Sequence, residues 1–266
     1  MTLSRLQESW DEWGRRDPLW VILSDPEKRD GQWNVDEFFA TGPREVRALF
    51  DKIAQMGVSV GRERALDFGC GVGRVTQALC EYFDECFGVD IAPSMIEGAE
   101  KYNRHQERCR YFVNAKNDLS QFPSDHFDLI YCKLVLQHMD SVFGQKYIAE
   151  FVRTLSPLGL LVFQVPSELV SSGRQSSGIS TTSWHERVRR ALARRRRTVQ
   201  IEQTGVESDQ SPNVVMHGIP RSDVLRVLEK SKGRSITVEE DGLAGPAWRS
   251  HTYYVTKDSA ASDATG

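Results

Sequence analysis

The segment Ala65-Leu66-Asp67-Phe68-Gly69-Cys70-Gly71-Val72-Gly73 constrains the fold more than any other part of the chain. An apolar run that reads as a buried strand ends in three glycines at alternating positions, and a helical pattern starts directly after them. Glycine tolerates the positive φ of a sharp turn and lets a ligand approach the backbone closely. The helix that follows presents unpaired N–H groups in its first turn. A strand, glycine turn and helix in this order belong to layered α/β folds, whose ligands bind outside the carboxyl ends of the strands. The spacing is G-x-G-x-G. The third glycine of the dinucleotide fingerprint would fall at position 74, which is Arg74, so a pyrophosphate loop is disfavoured.

Asp90 ends the next strand-like run, 21 residues after Gly69. An acid there can accept two hydrogen bonds from a ribose diol; the plainer reading is a cap for the helix opening at Pro93. The rhythm persists over residues 61–165. Strands are expected at 64–68, 86–89, 110–113, 127–132 and 159–165, with helices over 72–82, 93–102 and 142–155. Such alternation, with near-continuous apolar strands, indicates a parallel sheet covered by helices on both faces.

The flanks differ. Residues 1–60 read as a helical N-terminal cap carrying Trp10, Trp13, Trp20 and Trp33, four of the six tryptophans. Within it Thr41 is expected to cap a helix that Gly57 closes, with Val46, Leu49, Phe50 and Ile53 as its buried stripe. Residues 166–219 break the rhythm and are expected to form an insertion or lid that binds substrate. Residues 220–257 are expected to complete the core sheet with a helix and two strands, and the polar tail 258–266 to be disordered.

Composition excludes several classes. With 34 basic and 37 acidic residues, a net charge of −3, 39% hydrophobic and 27% charged residues, the chain is ordinary globular protein. No apolar run approaches the ~20 residues of a membrane-spanning helix. Five cysteines without a C-x-x-C pair disfavour a disulfide framework or a four-cysteine zinc site. The first eight residues lack an apolar signal core, so a cytoplasmic location is expected. No acidic or histidine cluster has recognisable metal-ligand spacing, and no metal is assigned.

Together these segments resemble a known family. Asp67-Phe68-Gly69-Cys70-Gly71-Val72-Gly73 resembles motif I of the class I S-adenosylmethionine-dependent methyltransferases. Gly88-Val89-Asp90-Ile91-Ala92-Pro93-Ser94-Met95 is similar to their second-strand motif, Asn117-Asp118-Leu119 to their adenine-contact segment, and Phe127-Asp128-Leu129-Ile130-Tyr131-Cys132 to their fourth strand. Leu155-Ser156-Pro157-Leu158-Gly159 resembles the turn into the fifth strand, with Leu158 where the family usually has glycine. The resemblance covers about residues 60–165. It implies a Rossmann-like, mostly parallel sheet of seven strands whose last strand is antiparallel, with S-adenosylmethionine as cofactor. It also implies roles. Asp67, Gly69, Cys70, Gly71 and Gly73 would surround the methionine part of the cofactor and Asp90 would hold the ribose. Ile91 and Met95 would pack on adenine, with Asn117, Asp118 and the Leu119 backbone at its edge. Lys133 would meet the amino-acid end of the cofactor or the acceptor.

Methyl transfer needs an acceptor aligned with the methyl-donor bond, and a hydroxyl acceptor also needs a base. Histidine suits that work near neutral pH. His138, in Leu136-Gln137-His138-Met139 just past the fourth strand, is the candidate base, with a structural hydrogen-bonding role as the plain alternative. Gln137, His217, Trp33 and Phe39 are candidates for the acceptor pocket, the two rings because aromatic faces favour a cationic sulfonium. Arg187–Arg197 holds seven arginines in eleven residues, with Trp184, Val188 and Leu192 as an apolar stripe. It reads as a solvated helix face, a site for an anionic acceptor, or a peripheral contact with anionic lipid or nucleic acid.

The leading expectation is O-methylation of a small molecule or carbohydrate. Alternatives are N- or C-methylation of a natural product, nucleic-acid methylation, or a non-enzymatic cofactor-binding protein, with a nicotinamide oxidoreductase more distant. Nucleic-acid chemistry is disfavoured because Cys132-Lys133-Leu134-Val135 stands where exocyclic-amine methyltransferases carry an Asn/Asp-Pro-Pro-aromatic motif. The sequence leaves oligomeric state open.

Overall fold

The computed structural model describes residues 2–170 and 215–257. Trp184, the arginine run Arg187–Arg197 and the tail 258–266 lie outside the described residues.

Strands β1 (Arg64–Phe68), β2 (Glu85–Asp90), β3 (Cys109–Val113), β4 (Phe127–Cys132), β5 (Leu155–Leu169), β6 (Gly233–Asp241) and β7 (Trp248–Lys257) form one sheet in the order β3-β2-β1-β4-β5-β7-β6. β1 to β5 pair in parallel, and β7 runs antiparallel to both β5 and β6. This is the Rossmann-like, seven-stranded, mostly parallel sheet the resemblance implied. The strand order reverses between β1 and β4, which opens a crevice at their carboxyl ends.

Helices α1 (Leu3–Arg16), α2 (Pro18–Ile22), α3 (Val35–Phe39) and α4 (Thr41–Gln55) precede the sheet; α5 (Arg74–Leu79), α6 (Pro93–Tyr102), α7 (Ser141–Thr154) and α8 (Arg221–Lys230) connect its strands. On one face Val46, Leu49 and Ile53 of α4 pack with Val75 and Leu79 of α5 and Ile96 of α6 against Leu129, Leu160 and Val162. On the other, Ile148, Phe151 and Val152 of α7 and Val224 and Leu228 of α8 pack against Leu66, Leu161, Phe163 and Tyr253. Both faces are covered, which is why the central strands are apolar at nearly every position. No helix among the described residues is long and apolar enough to cross a membrane.

Three elements differ from the sequence reading. α5 starts at Arg74, not at residue 72, because Gly73 has φ +81° and a left-handed residue cannot sit inside a right-handed helix. Thr41 does not cap α4. The chain enters α4 already helical from α3, whose own cap is Asn34, and the Thr41 hydroxyl donates to the Phe38 carbonyl at 2.6 Å. β5 runs on to Leu169 because β7 supplies hydrogen-bonding partners from Leu160 to Leu169, well past the end of β4.

Candidate active site

The turn after β1 is held by backbone hydrogen bonds and by the Asp90 carboxylate. Gly69, Gly71 and Gly73 have φ of +77°, +52° and +81°. The N–H groups of Gly69 and Cys70 both donate to the Val89 carbonyl, at 2.7 and 3.0 Å, which ties the turn to the end of β2. A side chain at Gly73 would run into the Tyr111 hydroxyl. Gly73→Ala is therefore expected to cost about 1–2 kcal/mol from the left-handed backbone, plus the clash. Denaturant unfolding checks this, and Tyr111→Phe in the same chain should relieve only part of the clash, since ring carbons Cζ and Cε1 would still lie 2.7 and 2.8 Å from the new Cβ.

Asp90, at the end of β2, is half-buried and accepts N–H groups on both oxygens: Gly71 on Oδ2 and Ala92 on Oδ1, each at 2.9 Å. Burial raises its pKa, opposed by these backbone hydrogen bonds. Each carboxylate oxygen has two lone pairs, so one on each remains for a ribose hydroxyl. Asp67 is more enclosed. It is 5% exposed, accepts from the Thr76 hydroxyl at 2.7 Å, and burial pushes its carboxyl up to about 7.

Beside Asp67 lies an ionic network that the sequence reading missed. Glu45 of α4 accepts from Arg74 at 2.7 Å, from the Tyr131 hydroxyl at 2.7 Å and from Lys133 at 3.0 Å. Burial works to raise the Glu45 pKa, but the charges of Arg74 and Lys133 overcome it and hold the group at about 2. Lys133 is thus half-buried and already paired. Glu45 gave no sequence signal, because an acid on the polar side of a helix reads as a solvated face; Arg74 at least stands next to the glycine turn.

The segment after β3 is shaped by Asn114, which was also missed. Its backbone N–H donates to the Asp90 carbonyl at 2.8 Å, and its side chain donates to the Asp118 carbonyl at 3.0 Å. Asn117 and Asp118 are half-exposed. Asp118 accepts from the Ser120 N–H at 3.1 Å, and its hydrogen bonds with Ser120 hold its pKa below the ordinary value. The Leu119 N–H, expected at an adenine edge, instead donates to Glu150 at 2.8 Å, and its side chain is buried.

Past β4 the backbone is strained. Leu134 has φ +60°, and its N–H donates to Gln164 of β5 at 3.1 Å. A left-handed leucine costs roughly 1–2 kcal/mol, and such strain concentrates at functional sites. The turn it makes brings Gln137, His138 and His217 together. The His217 N–H donates to the Gln137 carbonyl at 2.7 Å. Gln137 Nε2 lies 3.3 Å from His138 Nε2. An amide nitrogen only donates, so with this amide orientation Nε2 is the acceptor nitrogen of a neutral His138 ring. Burial, then the neighbouring His217, lowers the His138 pKa to about 4, and burial lowers that of His217. Four buried polar atoms here have no partner among the described residues: Gln137 Oε1, His138 Nδ1 and both ring nitrogens of His217.

The ring at this place is Trp10 of α1, whose centroid stands 5.0 Å from that of His138 at 65°. Trp33 and Phe39 lie elsewhere. The Trp33 indole donates to the Leu23 carbonyl at 3.0 Å, and Phe39 packs on Phe38 and Tyr102. Both belong to the cluster joining the cap to Val72, Ala92 and Met95, so Met95 (2% exposed) faces the cap. Ile91, half-buried, offers its carbonyl to Gln7 of α1 at 2.9 Å. The abundance of tryptophan marked the cap as special; which ring meets the site depended on how α1 docks.

Comparison with known proteins agrees with this geometry. Residues 66–163 match a family model described as a methyltransferase domain. An uncharacterized methyltransferase of Bacillus subtilis is 34% identical over 98 residues, 36% of this chain and 38% of its own length. The malonyl-[acyl-carrier protein] O-methyltransferase of Enterobacter lignolyticus is 31% identical over 100 residues, 38% of each chain. The similarity thus spans about two fifths of these relatives. The magnesium protoporphyrin IX methyltransferase of Synechocystis, solved with bound S-adenosylhomocysteine, shares the fold at a TM-score of 0.58 and 13% identity, over 96% of this chain and 99% of its own. A Pyrococcus horikoshii protein does so at a TM-score of 0.53 and 20% identity, over 80% and 91%. The sheet order, the glycine turn and the family match agree: residues 66–163 form a methyltransferase domain, on a fold shared with these solved structures.

Proposed function

We propose that the chain transfers a methyl group from S-adenosylmethionine to a hydroxyl oxygen of a small molecule or carbohydrate, with His138 taking the proton. The observation that carries this reading is the group of unpartnered buried atoms on Gln137, His138 and His217, beside Trp10 and just past β4. Such atoms cost about 1–3 kcal/mol each when left unmatched, a cost a polar ligand would remove. The match with O-methyltransferases, including the ubiquinone biosynthesis O-methyltransferase of Coxiella burnetii at 25% identity over 112 residues, supports oxygen as the acceptor atom.

The residues suit the cofactor. The left-handed glycines leave the turn without side chains, and Asp90 keeps acceptor capacity toward a diol. In this reading Gly69, Cys70, Gly71 and Gly73, with Asp67 behind them, line the methionine end; Asp90 holds the ribose; Ile91, Asn117 and Asp118 flank the base. Lys133, held by Glu45, fixes the wall near the amino-acid end. Bound S-adenosylmethionine supplies an electrophilic methyl group. Gln137 and His217 orient the acceptor hydroxyl. On transfer the methyl–sulfur bond would break as the oxygen–carbon bond forms, leaving a neutral thioether, and the hydroxyl proton would pass to His138 Nε2 in place of the Gln137 amide donor. Trp10 shields that nitrogen from water.

His138→Ala is expected to lower kcat by about 10²–10⁴ while sparing calorimetric affinity for S-adenosylmethionine. Wild-type turnover would remove the base role. The base acts unprotonated and titrates near 4, so kcat should fall as pH drops through about 4 and be flat above it with respect to this group. A pH–rate profile of wild type against His138→Gln checks the sign.

A further inference from the structure

α8 begins at Pro220 without a capping side chain; the Asp223 and Val224 N–H groups donate to the Pro220 carbonyl, and those of Arg221 and Ser222 are left open. A cavity of about 490 Å³ lies there, between this helix end, the far end of β5 and the start of β7. Arg221 and Ser222 line its helix side, and Arg249 and His251 its β7 side. His251 is only 7% exposed, and its Nδ1 has no hydrogen-bond partner. Tyr253, two residues along the same face of β7, is fully buried with an unpartnered hydroxyl, its ring centroid 6.2 Å from that of His251.

The two arginines are not equivalent. Arg249 is paired with Glu168 and, at 3.5 Å, with Glu240. Arg221 has no ion pair or hydrogen bond among the described residues, and it stands close enough for its charge to act on both His251 and Tyr253. Burial first, and Arg221 second, keep the His251 ring below its ordinary pKa. A buried neutral imidazole, an unpaired guanidinium and an open helix start meet at one cavity.

We propose that this cavity is an anion site for a carboxylate-bearing ligand, held by Arg221, the first N–H groups of α8, the Ser222 hydroxyl and His251. The planar guanidinium matches a carboxylate with two parallel hydrogen bonds, and the helix start adds a positive partial charge. The charge count selects a monoanion. Among the lining residues Arg221 and Arg249 balance Glu168 and Glu240, and Asp241 adds a further negative charge near His251, so a single negative charge is the most the helix end and its donors match, whereas a dianion is repelled by the carboxylates. This goes beyond the methyl-transfer reading and does not depend on it.

The test follows histidine ring signals by NMR in the full chain at constant ionic strength, His251→Gln identifying the resonance. Acetate is the probe, sulfate the dianion control and chloride the blank. Acetate should shift the His251 signal saturably in the millimolar range. Arg221→Ala should weaken this at least tenfold, and Arg104→Ala, which alters an exposed arginine paired with Asp36, should leave it unchanged. No saturable shift with acetate, equal binding by Arg221→Ala and wild type, or sulfate binding as tightly as acetate would each overturn the proposal. Calorimetry of S-adenosylmethionine on Arg221→Ala reads the cofactor site separately, so a failed anion site leaves the methyltransferase reading standing.

Discussion

An Asp90→Ala chain should bind S-adenosylmethionine at least tenfold more weakly than wild type. The side chain does two things at once. Its two oxygens fix the N–H groups of Gly71 and Ala92, each at 2.9 Å, and so hold the glycine turn and the start of α6 in place. Their remaining lone pairs would accept from a diol. Hydrogen bonds to a charged group contribute about 1.5–3 kcal/mol each, so losing one ribose contact alone accounts for tenfold. Stability should change less than affinity, because burial already disfavours the ionised carboxylate. Asp90→Asn, which keeps one acceptor oxygen, should fall between. Calorimetric titration decides the matter: unchanged affinity in Asp90→Ala would remove this residue from the cofactor site.

The second large effect concerns Glu45. Glu45→Gln should lower unfolding free energy by about 3 kcal/mol at pH 7. The Glu45 pKa is depressed from 4.5 to about 2, and at about 1.4 kcal/mol per pKa unit that corresponds to roughly 3 kcal/mol. The partners are enclosed, with 9% of the Arg74 side chain and 19% of the Glu45 side chain exposed, so solvent screens them little. Removing one charge leaves Arg74 and Lys133 facing each other uncompensated. The sign with pH follows. A depressed folded-state pKa gives stability that is fully present above 4.5 and lost as pH falls toward 2. Denaturant unfolding of both proteins at pH 7 and pH 3 should show the gap shrinking in acid. A gap independent of pH would mean that shape, not charge, holds this corner together.

The fold was legible because its signals are local. β1, β4 and α6 lie within the expected bounds, since each is an uninterrupted apolar run or a periodic stretch opened by proline. The errors arose where backbone conformation at one residue decided the outcome, as at Gly73, or where a distant strand supplied partners, as β7 does for β5. The candidate site was legible in part for the same reason. The glycine turn and Asp90 are defined by neighbours in sequence. Glu45 and Trp10 are defined by the docking of α4 and α1, which the chain around them does not encode as a pattern. Trp33 and Phe39 resembled Trp10 in every local respect, and only tertiary packing separates them.

Helix α1 touches both ends of the candidate site. Asp11 accepts from the Ser94 N–H at 2.8 Å and Gln7 reaches the Ile91 carbonyl at 2.9 Å, next to Asp90, while Trp10 stands against His138. One helix thus links the two sides of the candidate site, and thermodynamic linkage makes any coupling through it reciprocal. Whatever factor the cofactor adds to acceptor affinity through α1, the acceptor must return to the cofactor. Severing the helix from one side, by Asp11→Ala with Gln7→Ala for instance, should bring that shared factor closer to one.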